Sequence, residues 1–563
     1  MDPHERGERP AASVDTLPSP AEARPGLDRD RPRRRLAVAG GLSLCLVVYL
    51  LRLDHVAGQA WDDAWYVLLA KALSTGHGYT LINAPVPGIV PVLYPPAFPW
   101  LLSLVYRLGP EFPRNVWLLK SVSIAAMLGA GVVIYGYFTR ERALPALLAL
   151  GIALATVLSP ALVFLATSTV MSECVFTLAQ LLTIAVIERG ARLESGARTR
   201  WYAVAGGVLA SFTFLVRSIS VVLLVAVVLH LLHKRRWRST LVFTLTVTLA
   251  VGPWLLYSRL HTPSDDQSYE GIVVRSYTSL FWRRIGDDSR SGTISLTELP
   301  ERIWHNTLDI VERRMTIVLV PTTPYVFKQG DDLPPQTNAL SLALSALVLA
   351  GLVAAARENL TLAEMVVPLS IAGAASWPWD LTRFLVPLTP FLLFYLLVGC
   401  RVVTGMVLRA GQSWTTPAQR TISGALLGLL LLSSIYEHAA YLRREYASPP
   451  AEQSQWARRF EEHVQMYRWI RDNLPADAVI AAQNPAQVYL FTGRKTIAAE
   501  RPTENWETWR RLNVRYLARM SFYPLPPIDW ADLSYKSIYR SGGELNLRIF
   551  DLGPAASSGP PAG

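Results

Sequence analysis

A succession of apolar runs, separated by short basic stretches, constrains this chain more than any single motif. The runs begin near Leu36, Asn115, Ala143, Met171, Trp201, Ile219, Ser239, Ala339, Leu362, Arg383 and Thr421. A helix crosses the hydrocarbon core with about 20 apolar residues. Backbone polar groups in lipid must be satisfied internally, so runs of this kind specify helices. The composition agrees: of 563 residues 51% are hydrophobic and 17% charged, with a mean hydropathy of +0.26. A soluble enzyme of this length is more polar. The expected fold class is therefore a polytopic α-helical membrane protein with about eleven transmembrane helices.

The formal charge of +11 does not point to nucleic acid, because the basic residues cluster between apolar runs. Residues 1–35 are rich in Pro, Arg, Asp and Glu and read as a disordered cytoplasmic tail ending in "RDRPRRR". With that tail inside, "TRER", "RGARLESGARTR", "HKRRWR", "AARENLTLAE" and the connection from Arg401 to Arg420 all fall on the cytoplasmic side. This distribution satisfies the positive-inside rule.

The opposite side then receives two large loops, 54–114 and 258–338, within a transmembrane domain over 36–436. It also receives residues 437–552, which read as a small α/β domain. "SQWARRFEEHVQMYRWIRDNL" has helical spacing, "AVIAA" and "KTIAA" are strand-like, and "YKSIYRSGGELNLRIFDL" reads as a hairpin turning at Gly542-Gly543. Residues 553–563 form a second disordered tail. Cys45, Cys174 and Cys400 all lie in apolar runs and make no CxxC pattern. The nine histidines are scattered, with no HExxH, so no motif supports a metal. A divalent cation assembled in three dimensions stays open.

The first large loop carries adjacent acids, Asp62 and Asp63, in "GQAWDDAWYVLLAKALSTGHGY". An acid there suits the N-terminus of a helix and its dipole. One acid suffices for that role. The second, with Trp61, Trp65 and Tyr66 around it, suggests an interfacial helix presenting a carboxylate to a pocket. Further on, "YPPAFPWLLSLVYRL" opens a second interfacial helix at Pro95-Pro96, too short to cross.

Taken in order, these features resemble the GT-C membrane glycosyltransferases, which include protein O-mannosyltransferases, lipid A aminoarabinose transferases and bacterial RgtA/B/C/D-like enzymes. "DDAWYVLLAKALSTGHGY" is similar to their acid-pair segment, "YPPAFPWLL" to their Pro-Pro helix start, and "DLTRFLVPLTPFLLF" to a late Arg-containing segment. "YRWIRDNLPADAVIAA" and "YLFTGR" are similar to the tails of bacterial members. One departure stands out: Val92, Leu93 and Tyr94 occupy the places where aminoarabinose transferases carry an acid and a lysine.

The resemblance implies a bacterial inner-membrane enzyme taking a sugar from a polyprenyl-phosphate donor to a hydroxyl of a lipid, glycan or protein on the periplasmic side, with inversion. It implies that Asp62 is the catalytic acid of the pair, acting as base, with Asp63 in the place usually held by Glu. A departing phosphate also needs cations. Arg217, in "FTFLVRSISVVLL", and Arg383, after "WPWDLT", are the candidates, since a cation in or near the membrane marks a functional site. Their alternatives are snorkelling and, for Arg383, a pair with Asp380. Glu173 is expected to orient the first loop or a substrate hydroxyl, or to start its helix beside Ser172. Tyr66 and Tyr94 are candidate substrate contacts, with the interfacial aromatic belt as the alternative. Two other classes remain open: a flippase for lipid-linked sugars, and a catalytically inactive scaffold of the same fold.

Overall fold

The structure is a computed structural model describing residues 31–194, 196–262, 270–271, 273–286, 291–321, 335–407, 416–447, 449, 454–499, 506–520 and 535–553. Of the tails expected over 1–35 and 553–563, residues 1–30 and 554–563 lie outside these residues. Helix α1 (Arg31–Arg52) starts at Arg31, so residues 31–35 belong to the first helix and not to the tail. Arginine is a good helix former, and its long side chain keeps the charge in the polar region.

The first loop forms α2 (Asp62–Ser74) and α3 (Ala97–Tyr106), then α4 (Val116–Arg140), α5 (Ala146–Val157), α6 (Pro160–Thr167), α7 (Glu173–Ala191), α8 (Ala197–Val216), α9 (Val221–His233) and α10 (Trp237–Leu260) follow. The second loop contributes α11 (Tyr277–Phe281), α12 (Leu299–Asp309) and α13 (Met315–Leu319). The bundle closes with α14 (Pro335–Glu358), α15 (Leu362–Ala375), α16 (Thr382–Leu385), α17 (Thr389–Val407) and α18 (Pro417–Ala447).

About eleven transmembrane helices are expected, and length and apolar composition bear out a smaller number. Among the described residues 7 helices are long and apolar enough to cross a membrane, or 8 if α5 and α6, bent by 48°, form one span. Pro160 at the first turn of α6 makes that bend, because it cannot continue the preceding helix. Each expected run is helical, but three fall short. Helices α9 and α15, at 13 and 14 residues, rise only about 20 Å against a core of about 30 Å. Helix α8 has 20 residues but opens on "ARTR", which shortens its apolar length.

Packing between spans relies on small residues in one place and buried charge in another. A Cβ at Gly351 would strike the Tyr395 carbonyl, and one at Gly399 the Leu347 carbonyl, so α14 and α17 touch backbone to backbone. At the end of the bundle holding the basic loops, Arg142 pairs with Glu364 at 2.9 Å and Glu188 at 3.7 Å. Tyr137 donates to Glu188 and Tyr395 donates to Glu364, while Thr361 and Glu364 form the capping box of α15. This cluster ties α4, α7, α15 and α17 together.

Beyond α18 the chain forms α19 (Gln455–Asn473), β1 (Val479–Ala482), α20 (Pro485–Thr492), β2 (Lys495–Ala498), α21 (Trp506–Arg511), β3 (Val514–Arg519), β4 (Lys536–Arg540) and β5 (Arg548–Asp551). The sheet order is β2-β1-β3-β5-β4, parallel through the first three strands and antiparallel from β3 to β5 to β4. Met466, Tyr467 and Ile470 of α19 bury against Ile480 and Ile549. Helix α20 packs on α19, with Val488 in the same core, and also on α2. As a result α2 does not lie open as an interfacial helix: Asp63 through Ala70 are all buried.

Candidate active site

The site begins where α2 begins. Neither acid caps that helix; its N-cap is Trp61, with no side-chain capping bond. Asp62 and Asp63 instead diverge, because consecutive helical residues point about 100° apart. Asp62 is 30% exposed, whereas Asp63 is fully buried and accepts the Gly58 N–H at 2.8 Å.

Asp62 reaches into a cluster drawn from four distant segments. Its Oδ1 accepts the Tyr94 hydroxyl at 2.8 Å, and its Oδ2 lies 2.9 Å from Arg383 Nη2. Arg383 Nε donates to Glu173 Oε1 at 2.8 Å, and Arg217 Nη1 lies 2.8 Å from the same oxygen. Arg217 Nη1 also reaches Ser172 Oγ at 3.2 Å, and that hydroxyl lies 3.2 Å from the Tyr66 hydroxyl. Edge-on contacts of Tyr66 with Tyr94 and Phe98, at 5.2 and 5.0 Å, wall the acid from α3.

Chain breaks put these groups together. Arg217 is the extended residue between α8 and α9, so its side chain leaves the bundle end instead of following either helix. Arg383 sits on the single turn of α16 that enters α17. Glu173 opens α7, and Ser172, at the N-cap, spends its hydroxyl on Tyr66 and Arg217 rather than on a capping bond. The turns that follow α8 and precede α17 thus bring Arg217 and Arg383 to one shared oxygen, Glu173 Oε1, each at 2.8 Å.

Arg383 does not pair with Asp380. That acid accepts from Arg314 at 3.1 Å and from the Thr382 N–H at 2.7 Å. Of the residues singled out in the sequence, Asp62, Arg217, Arg383, Glu173, Tyr66 and Tyr94 meet in one cluster, and Asp63 does not join it.

Protonation follows from burial. Tyr94 is held well above the usual phenol range by burial and then by the Asp62 carboxylate, so it stays a donor to Asp62. Burial pushes Asp63 up to about 6, opposed by the Gly58 N–H. Its Oδ1 has no hydrogen-bond partner. Among the described residues no group of three or more His, Cys, Asp or Glu comes together to hold a metal ion. The cationic charge here is guanidinium: Asp62 and Glu173 are matched by Arg217 and Arg383, and among the described residues this cluster engages Nη1 of Arg217 and Nε and Nη2 of Arg383.

Sequence reasoning missed Tyr277, whose hydroxyl donates to the Leu93 carbonyl just before Tyr94. It also missed how α20 holds the loop ahead of Asp62. Asn484 Nδ2 donates to the Gly58 carbonyl at 2.8 Å, and Gln487 Nε2 to the Ala57 carbonyl at 3.1 Å. "NPAQ" signals a helix start, which it is, since Asn484 also accepts the Gln487 N–H. Nothing in the sequence announces the second partner 426 residues away.

The model of the Alg9-like mannosyltransferase family matches residues 73–285, a stretch that includes Tyr94, Glu173 and Arg217 but neither Asp62 nor Arg383. No curated protein matches the chain. Among solved structures, ArnT from Cupriavidus metallidurans bound to undecaprenyl phosphate is similar over 93% of this chain and 99% of its own, with 13% identity and a TM-score of 0.59. The Archaeoglobus fulgidus oligosaccharyltransferase tethered with an acceptor peptide is similar over 86% of this chain and 69% of its own, with 13% identity and a TM-score of 0.51. The chain has the GT-C fold that its sequence resembles, in a multi-pass membrane protein.

Proposed function

We propose that the chain is a glycosyltransferase that moves a sugar from a polyprenyl-phosphate donor to a hydroxyl of a lipid, glycan or protein, with inversion, at the periplasmic face of a bacterial inner membrane. One observation carries this reading. A partly open carboxylate, Asp62, and two guanidiniums, Arg217 and Arg383, sit side by side at the end of the bundle opposite the basic loops.

In this reading Asp62 accepts the proton of the acceptor hydroxyl as that oxygen bonds to the anomeric carbon. The bond from that carbon to the carrier phosphate breaks, and its electron pair leaves on the phosphate. Arg217 and Arg383 then stabilise the charge that develops there, which is the larger contribution in sites of this kind. Arg383 has a second role. When it turns toward the phosphate it loosens its hold on Asp62, so a base held idle by an ion pair is released as the donor arrives. Tyr94 keeps the carboxylate aimed during that exchange, and Glu173 fixes both guanidiniums from below. The protein named above as binding undecaprenyl phosphate supports a lipid-linked donor. The family match supports glycosyl transfer as the reaction.

The test is transfer of label from pooled radioactive polyprenyl-phosphate sugars, in membranes containing wild type, Asp62→Asn or Asp63→Asn, with native lipids and glycans as acceptors. Labelled product from wild type and Asp63→Asn, and none from Asp62→Asn at equal expression, is the expected result. Equal labelling by all three overturns Asp62 as base. A wild type that moves the lipid-linked sugar across the bilayer and never transfers it makes the chain a flippase.

A further inference from the structure

Trp61 is an anomaly that the mechanism above does not use. Its backbone has φ 69° and ψ −70°, and the Asp62 N–H bonds to the Ala60 carbonyl at 2.9 Å. That is a γ-turn of the rare, strained hand. A bulky aromatic residue is among the worst suited to positive φ, and glycine would adopt it without strain.

The surrounding structure enforces the turn. Gly58 and Ala57 are held by Asn484 and Gln487, Asp63 binds the Gly58 N–H, and Gln59 Nε2 donates to the Trp456 carbonyl at 2.9 Å. Strain over-determined in this way gathers at functional sites.

The ring is left partly open. Trp61 is 43% exposed, while Trp65, four residues on, is buried at 1%. Among the described residues the Trp61 ring stacks on no aromatic neighbour and receives no cation. A membrane-anchoring tryptophan would serve as well anywhere along the loop, with an ordinary backbone. Here the strained turn fixes an open indole one residue before the acid that faces the site.

We propose that Trp61 is the sugar-stacking residue of this site: its indole face receives the apolar face of the donor's pyranose or furanose ring and holds the anomeric carbon against Asp62. This rests on the glycosyltransferase reading and adds a residue that recognises the sugar rather than the phosphate. An indole suits the task because it offers a large rigid apolar surface with a polar edge. The division of labour follows: the arginines hold the phosphate of any polyprenyl carrier, and Trp61 separates the sugar-bearing carrier from the bare one.

The experiment measures equilibrium binding of undecaprenyl phosphate, and of undecaprenyl-phosphate hexoses and pentoses, to the full-length protein in detergent. An Asp62→Asn background prevents turnover. Trp61→Ala is expected to weaken the sugar-bearing carriers by about three- to tenfold, the size of one aromatic contact. Bare undecaprenyl phosphate should bind to it within about twofold of the parent, and Trp61→Phe should keep most of the sugar-dependent affinity. Trp61→Gly should raise the thermal midpoint by relieving the turn, yet lose sugar binding as Trp61→Ala does; this separates stacking from folding. Equal weakening of both ligands, or of neither, overturns the stacking role while leaving the glycosyltransferase reading in place. A parent protein that binds no carrier at all overturns both.

Discussion

The guanidinium of Arg383 stands 2.9 Å from the carboxylate of Asp62, and it ties that acid to the Glu173 side of the cluster. Through Nε it also holds Glu173, so one side chain from the late Arg-containing segment joins the first loop to α7. Arg383→Ala should therefore remove a phosphate donor and the restraint on Asp62 together. The expected loss in transfer rate is about a hundredfold, the scale set by removing one charge-stabilising donor. Arg383→Lys should recover little, because an ammonium cannot bridge two carboxylates in a plane while offering further donors. Initial rates at saturating donor decide the matter; near-wild-type turnover in Arg383→Lys would mean that only a point charge is needed.

Asp63 makes a different prediction, set by pH. Its folded value of about 6 lies above the ordinary 3.8, so the folded state holds a proton that the unfolded state releases between those values. Its contribution to stability is full below about pH 4 and is lost as pH rises through 6, by roughly 3 kcal/mol. Asp63→Asn copies the protonated form and keeps an oxygen for the Gly58 N–H. The thermal midpoint of the variant should thus gain on wild type as pH is raised from 5 to 7.5, with transfer activity largely retained. A constant difference across that range would show that Asp63 is not the titrating group.

The buried cluster at the other end of the bundle bears on stability and not on chemistry. Arg142 compensates two fully buried acids, Glu188 and Glu364. Arg142→Met should destabilise the fold by about 3–5 kcal/mol, since it strands charge that water cannot reach. Transfer per folded molecule should stay near wild type. Thermal unfolding in detergent, set beside specific activity, separates the two effects; unchanged unfolding would show that the acids are neutral without the arginine.

Much of this site was legible in the sequence because its residues break local rules. Asp62, Arg217, Glu173 and Arg383 are charges at the ends of apolar runs, where solvation makes an unpaired charge unfavourable, and that expense marks them one by one. Their convergence is a property of tertiary structure, visible beforehand only through the resemblance of the segment order. Helices α8, α9 and α15 read as spans in the sequence because apolar runs show where a helix is, not where an extended residue such as Arg217 or an opening "ARTR" shortens its apolar length. Strand β3, "VRYLAR", went unread because Arg515 and Arg519 interrupt a run of six residues. The separate fates of Asp62 and Asp63 were likewise hidden: the acids are adjacent in sequence, and only the tertiary packing around α2 decides which carboxylate is buried.

That docking gives the last prediction. The α/β unit reaches the site through Asn484 and Gln487, which hold the Gly58 and Ala57 carbonyls four and five residues before Asp62. Removing both donors with Asn484→Ala and Gln487→Ala leaves the cluster's own bonds intact but frees the strand that aims it. Turnover should fall by about tenfold while the KM for donor moves little, as expected when positioning is lost and binding is kept. Gly58 supplies the cross-check. It sits at φ +82°, and a Cβ there would come within 2.8 Å of Gln487 Cγ. Gly58→Ala should therefore impair turnover more in the wild-type background than beside Gln487→Ala, where the clashing side chain is gone and only backbone strain persists. Additive effects of the two substitutions would place the fault in the turn alone and remove Gln487 from the positioning of Asp62.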